Sequence, residues 1–133
     1  MTHDLELRVY YEDTDMAGIV YYANYLRFIE RGRSSMLRDA GFSQRALRDE
    51  LGVVFAVTEV HAKYFEPARL DDLLCVQTKI SKLTRARCVF EQTVTRGDAT
   101  LFAADVTVAC MSLAGKPTAI PEDARHVFVN YQA

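Results

Sequence analysis

The chain has 133 residues, half of them hydrophobic and 26% charged, which fits one soluble domain able to bury about two-thirds of its unfolded surface. Its net charge of −2 excludes a general nucleic-acid binder, which would carry a basic excess. It opens with no charged-then-apolar leader and holds no apolar run of the roughly 18 residues a membrane helix needs, so a cytoplasmic protein with no membrane span is expected.

A first strand is predicted at about Leu5 to Tyr11. The acidic segment Glu12-Asp13-Thr14-Asp15 follows, then the apolar Met16-Ala17-Gly18-Ile19-Val20. Asp, Thr and Gly are ordinary turn residues, so a surface turn is the simple reading. The apolar run behind it weighs against a merely solvated turn. A carboxylate just before a helix can act on a substrate carbonyl, because free N–H groups at the helix start can hold a developing oxyanion.

From Ala23 or Asn24 the pattern predicts a helix to Ala40. Tyr25, Phe28, Ile29, Gly32, Met36 and Ala40 share one face, while Arg27, Glu30, Arg31, Ser34 and Arg38 lie mostly on the other. Asn24 is the expected N-cap and Gly41 the expected stop. Ser43 is expected to cap a short second helix through Leu51.

Beyond Gly52 the period changes to two. Val53, Phe55 and Val57 alternate with Val54, Ala56 and Thr58, which suggests a strand covered on both faces and ending near Glu66-Pro67. Three further strands are expected at Leu74–Leu83, Arg87–Thr95 and Leu101–Leu113. Thr84-Arg85 and Arg96-Gly97-Asp98 separate them, and such short connections imply an antiparallel meander. A short helix or tail follows from Glu122. No repeat or linker interrupts the chain, so residues 1–133 read as one domain. Cys75, Cys88 and Cys110 each fall in a strand-like run and read as reduced structural thiols.

One helix of about 17 residues, roughly 25 Å long, could be wrapped by one curved sheet. The expected fold is therefore α+β, a hotdog with a long central helix wrapped by a five-stranded antiparallel sheet.

Arg8-Val9-Tyr10-Tyr11-Glu12-Asp13-Thr14-Asp15, Gly18-Ile19-Val20-Tyr21, Ala23-Asn24-Tyr25-Leu26 and Glu30-Arg31 resemble the signature of the hotdog-fold 4-hydroxybenzoyl-CoA thioesterase family. Within it the chain is most similar to the Tol-Pal-associated acyl-CoA thioesterases. Tyr64-Phe65-Glu66-Pro67-Ala68-Arg69-Leu70-Asp71-Asp72 fits as well, and the resemblance runs from about Leu5 to Pro121. It implies an enzyme that hydrolyses a short or medium aliphatic or aromatic acyl-CoA without a cofactor. Asp15 matches the catalytic carboxylate, Gly18 falls in the substrate-binding turn, and Tyr22 matches the helix-start position whose N–H polarises the thioester carbonyl. The Tol-Pal-associated group usually has histidine there, and tyrosine resembles the hydroxybenzoyl-CoA enzyme instead. A backbone role survives that change, whereas an imidazole role does not.

The chemistry needs little more, because coenzyme A is a good leaving group. Asp15 can attack the carbonyl and form a mixed anhydride, or it can deprotonate the attacking water. Asp13, two residues away in extended backbone, points to the other side and is expected to hold the loop. His3, His61 and His126 match no metal spacing. Lys79, Lys82, Arg85 and Arg87 near one hairpin are candidates for coenzyme A phosphates, with simple solvation as the alternative. A single hotdog leaves sheet edges open, so a homodimer or homotetramer is expected, with sites at the subunit boundary. The resemblance also points to envelope or lipid-synthesis proteins as partners. Two other readings are an acyl-thioester dehydratase or hydratase, and a non-catalytic acyl-CoA-binding or envelope-complex module. The former would need a histidine in the active segment, and none lies between His3 and His61.

Overall fold

The computed structural model describes residues 1–132. In chain order it contains β1 (His3–Arg8), α1 (Asn24–Asp39), α2 (Gln44–Ala46) running into a π-helical turn at Leu47–Leu51, β2 (Val53–Tyr64), β3 (Leu73–Leu83), β4 (Arg87–Arg96), β5 (Ala99–Ser112) and α3 (Glu122–Asn130). The strands form one antiparallel sheet in the order β1-β3-β4-β5-β2, with α1 lying across β1, β3 and β4. Register shifts at Val57/Glu59, Ile80/Lys82 and Val94/Thr95 add the local bends that let the sheet curve around the helix. No helix among the described residues is long and apolar enough to cross a membrane.

The expected helix is present with its predicted buried face. Tyr25, Phe28, Ile29, Gly32 and Met36 are all buried. Gly41 ends it with φ +94°, and Phe42 N–H donates to the Leu37 carbonyl. Ser43 caps α2 by accepting from Ala46 N–H at 3.0 Å. The N-cap assignment needs correction: the cap position is Ala23, and Asn24 is the first helical residue. Its side-chain amide donates to the Asp13 carbonyl at 2.9 Å, so it ties the helix to the acidic loop instead of capping it.

The predicted meander is present as β3, β4 and β5, but β2 does not join it next to β3; it crosses to the far side and pairs with β5. The tight turns that make adjacent hairpins lie between β3 and β4 and between β4 and β5. The 65–72 connection is too long to force β2 against β3. Nor is β2 covered on both faces: Val57 and Val60 are 50% and 39% exposed. The strand lies at the sheet edge, outside the area that α1 covers.

The core has a polar clip that periodicity does not announce. Buried Gln92 of β4 donates through Nε2 to the Ile29 carbonyl of α1 at 2.8 Å and to Thr78 Oγ1 of β3 at 2.9 Å. Its Oε1 accepts from Arg33 at 2.9 Å. Every polar group of the buried amide thus has a partner, as burial requires. Nearby on β4, Phe128 of α3 packs between Phe55 and Phe90, with ring centroids 5.9 Å from each.

Candidate active site

The acidic loop folds as a small hairpin. Thr14 bridges Val20, Asp15 N–H donates to the Ile19 carbonyl at 2.9 Å, and Gly18 N–H donates to the Asp15 carbonyl at 3.0 Å. Gly18 has φ +79°, a conformation that costs a side-chain-bearing residue energy. The Asp15 side chain is exposed and accepts Ala17 N–H through Oδ1 at 2.9 Å. Oδ2 makes no hydrogen bond among the described residues, so one carboxylate oxygen is held in place while the other is left without a partner there.

Asp13 has different work. Its Oδ2 accepts Tyr10 N–H at 2.9 Å, and its carbonyl accepts Tyr21 N–H at 3.0 Å and the Asn24 amide at 2.9 Å. It holds both ends of the loop, in keeping with the structural role expected for it.

The returning arm rests on the β2–β3 connection. Ile19 bridges Arg69, and Val20 N–H donates to the Ala68 carbonyl at 2.8 Å. Ala68 N–H in turn donates to the buried Tyr25 hydroxyl at 3.0 Å. Asp72 Oδ2 accepts both Arg69 N–H and the Arg96 guanidinium at 2.8 Å. Burial alone would raise the Asp72 carboxyl, but these partners outweigh it and hold the group below its ordinary value. Pattern reading had no signal for Tyr25 and Arg96 as supports of the loop, since the contacts depend on the folded crossover.

At the start of α1 the Tyr21 carbonyl accepts Asn24 N–H at 2.8 Å, and the Tyr22 carbonyl accepts the Tyr64 hydroxyl at 2.8 Å. Neither Tyr22 N–H nor Ala23 N–H donates to any group among the described residues. A cavity of about 330 Å³ adjoins this point, lined by Ile19, Val20, Tyr22, Tyr25, Tyr64 and Phe65 among others. A second of about 560 Å³ continues along α1 against Val57, Val60 and Val106 of β2 and β5. Asp15, Gly18 and Tyr22 therefore belong to one loop-to-helix segment at one end of the sheet.

Lys82, Arg85 and Arg87 stand at the opposite end. The loop platform at Arg69 adjoins the start of β3, and these cations surround its finish at Leu83, about 30 Å away for a strand of this length. Within one chain they do not meet Asp15. Lys79 pairs with Glu91 at 3.5 Å on the surface. The three cysteines are free, and burial pushes the Cys88 thiol up to about 12, the opposite of an activated nucleophile.

The profile of the thioesterase superfamily matches residues 17–103, beginning just after Asp15. The chain belongs to the thioesterase superfamily. It is 43% identical to the acyl-CoA thioesterase YbgC of Haemophilus influenzae over 92% of this chain and 90% of that protein. It is 46% identical to the acyl-CoA thioester hydrolase YbgC of Escherichia coli O157:H7 over 87% of each. Among solved structures, a probable thioesterase from Bartonella henselae superposes with a TM-score of 0.88 at 40% identity, covering 91% of this chain and all (100%) of that one. The superfamily member described here has the α+β hotdog architecture, with α1 as the filling and the five strands as the wrap.

Proposed function

We propose that this chain is an acyl-CoA thioesterase that hydrolyses a short or medium aliphatic or aromatic acyl-CoA to the free acid and coenzyme A. The observation that supports the reading is a half-tethered carboxylate, Asp15, on the loop that leads directly into α1, whose first N–H groups, at Tyr22 and Ala23, have no partner among the described residues. The thioester carbonyl oxygen lies against Tyr22 N–H, where the positive end of the helix dipole supports a developing negative charge. Asp15 either attacks the carbonyl carbon or takes a proton from the attacking water. In the first route the tetrahedral oxyanion collapses, the thiolate leaves, and water hydrolyses the mixed anhydride to restore the carboxylate. In the second, water attacks directly and the proton held by Asp15 goes to the leaving thiolate. Gly18 serves by letting the loop close and by presenting bare backbone beside the substrate. The aromatic cavity beside Tyr22 receives the acyl group.

The assembly completes this reading. A second copy pairing antiparallel along the open edge of β2 would extend the sheet to ten strands and cover the exposed Val57 and Val60. Its two-fold axis would turn the second copy's β3–β4 turn to the Asp15 end. At about 4.8 Å per strand that turn would lie roughly 15–20 Å from β2, within reach of an extended pantetheine arm. Lys82, Arg85 and Arg87 would then meet coenzyme A phosphates across the subunit boundary. Three free thiols agree with a reducing, cytoplasmic setting.

The test is a thiol-release assay of the purified chain over benzoyl-, short-chain and medium-chain acyl-CoAs. Turnover of at least one member is expected. Binding without turnover across the panel would overturn the enzymatic reading in favour of a binding module.

A further inference from the structure

We propose that Tyr64 is a positioning residue for the carbonyl-polarising end of α1, an inference that rests on the thioesterase reading above. Tyr64 is the last residue of β2, and its hydroxyl donates to the Tyr22 carbonyl at 2.8 Å across 42 positions of sequence. Its ring is held edge-on by three others, with centroids 4.9 Å from Phe102, 5.5 Å from Tyr25 and 6.3 Å from Tyr22. The hydroxyl is therefore delivered from a braced strand end.

The consequence follows from peptide geometry. In a trans peptide the N–H points opposite to the carbonyl of the same unit. The carbonyl of the Tyr21–Tyr22 unit is taken by Asn24 N–H, and that of the Tyr22–Ala23 unit by the Tyr64 hydroxyl. Both planes are thereby fixed through their oxygens, and the N–H groups of Tyr22 and Ala23 are turned the other way and left unengaged. A donor on the Tyr22 carbonyl also polarises that peptide, which makes Ala23 N–H a stronger donor. The geometry adds Ala23 N–H to Tyr22 N–H as a second donor for the oxyanion. Phenylalanine would fill the same aromatic space, so the hydroxyl is what this function needs. Burial raises the Tyr64 phenol above its ordinary value, which keeps the proton on the donor.

The experiment compares the full-length protein with Tyr64→Phe and Tyr64→Leu. For the best acyl-CoA in the panel, kcat should fall about tenfold in both variants, while KM should stay within about twofold in Tyr64→Phe, which keeps the ring that lines the cavity, and rise in Tyr64→Leu, which does not. The loss is smaller than the ~10²–10³-fold seen when an oxyanion donor itself is removed, because Tyr64 acts through the peptide. The Tyr22 carbonyl carbon, labelled with carbon-13, should shift upfield in both variants as its hydrogen bond disappears. Parental kcat in Tyr64→Phe would overturn the proposal, and so would a raised KM at unchanged kcat, which would make Tyr64 a substrate contact. An unmoved Tyr22 carbonyl signal would overturn it whether or not the protein turns over acyl-CoA. A wild-type chain silent on the whole panel would instead overturn the thioesterase reading.

Discussion

Gly32 of α1 and Val76 of β3 stand so close that a methyl group on Gly32 would come within 2.7 Å of Val76 Cγ1. The same methyl would lie 3.0 Å from Thr78 Oγ1 and 3.1 Å from Gln92 Nε2, the side chains that clip the helix to the sheet. Gly32→Ala should therefore destabilise the protein, although alanine gains up to ~1 kcal/mol in helix propensity. Overpacking of this kind costs ~1–3 kcal/mol, so a net loss and a melting point lower by several degrees are expected. A parental or higher melting temperature would show that α1 can lift away without cost.

Asp15→Asn retains an oxygen for Ala17 N–H but removes both nucleophile and base. Its kcat should fall by ~10²–10⁴-fold with substrate still bound. Asp13→Asn keeps an acceptor for Tyr10 N–H, and its kinetics should stay near the parent. Steady-state thiol release on folded, size-checked proteins decides the matter, and parental turnover by Asp15→Asn would exclude Asp15 as the catalytic carboxylate.

Replacement of Lys82, Arg85 and Arg87 together by alanine should raise KM and leave kcat nearly intact, because phosphate contacts persist from ground to transition state. Each exposed contact is worth roughly 0.2–1 kcal/mol. Unchanged KM in the triple variant would mean that these cations are only solvated.

Val60→Lys, alone or with Val57→Lys, places charge on the apolar strip that a second copy would bury. Light scattering should show a smaller assembly at micromolar concentration, with a matching loss of kcat/KM. A wild-type protein that is a fully active monomer would defeat the shared-sheet assembly.

Asp72 supplies a pH dependence with a definite sign. Burial works to raise its carboxyl, and Arg69 N–H with the Arg96 guanidinium more than offset this. Its folded value therefore lies below its unfolded one. The stability it contributes is complete above the ordinary carboxylate range and is lost as pH falls through the lowered folded value. Urea midpoints should drop for Asp72→Asn near neutral pH, and the difference from the parent should shrink at about pH 3. A difference that stays constant with pH would mean that the carboxylate charge is not what matters.

The kinds of element and several of their ends follow from local residue patterns. The apolar spacing of Tyr25, Phe28, Ile29 and Met36, the stop at Gly41, the cap at Ser43 and the turns after β3 and β4 are local effects within a few residues. The order of motifs around the acidic loop carried the family. The fold, not the local pattern, puts β2 beyond β5, turns Asn24 to Asp13 instead of to a cap on α1, and sets the basic turn at the far end of β3 from the acidic loop, a strand roughly 30 Å long. It also brought Tyr64 to Tyr22, Arg96 to Asp72 and Gln92 to Ile29. Periodicity tells a strand which face to bury but not which neighbour to join. That choice falls to long-range packing and to connections such as 65–72, whose length leaves the partner open.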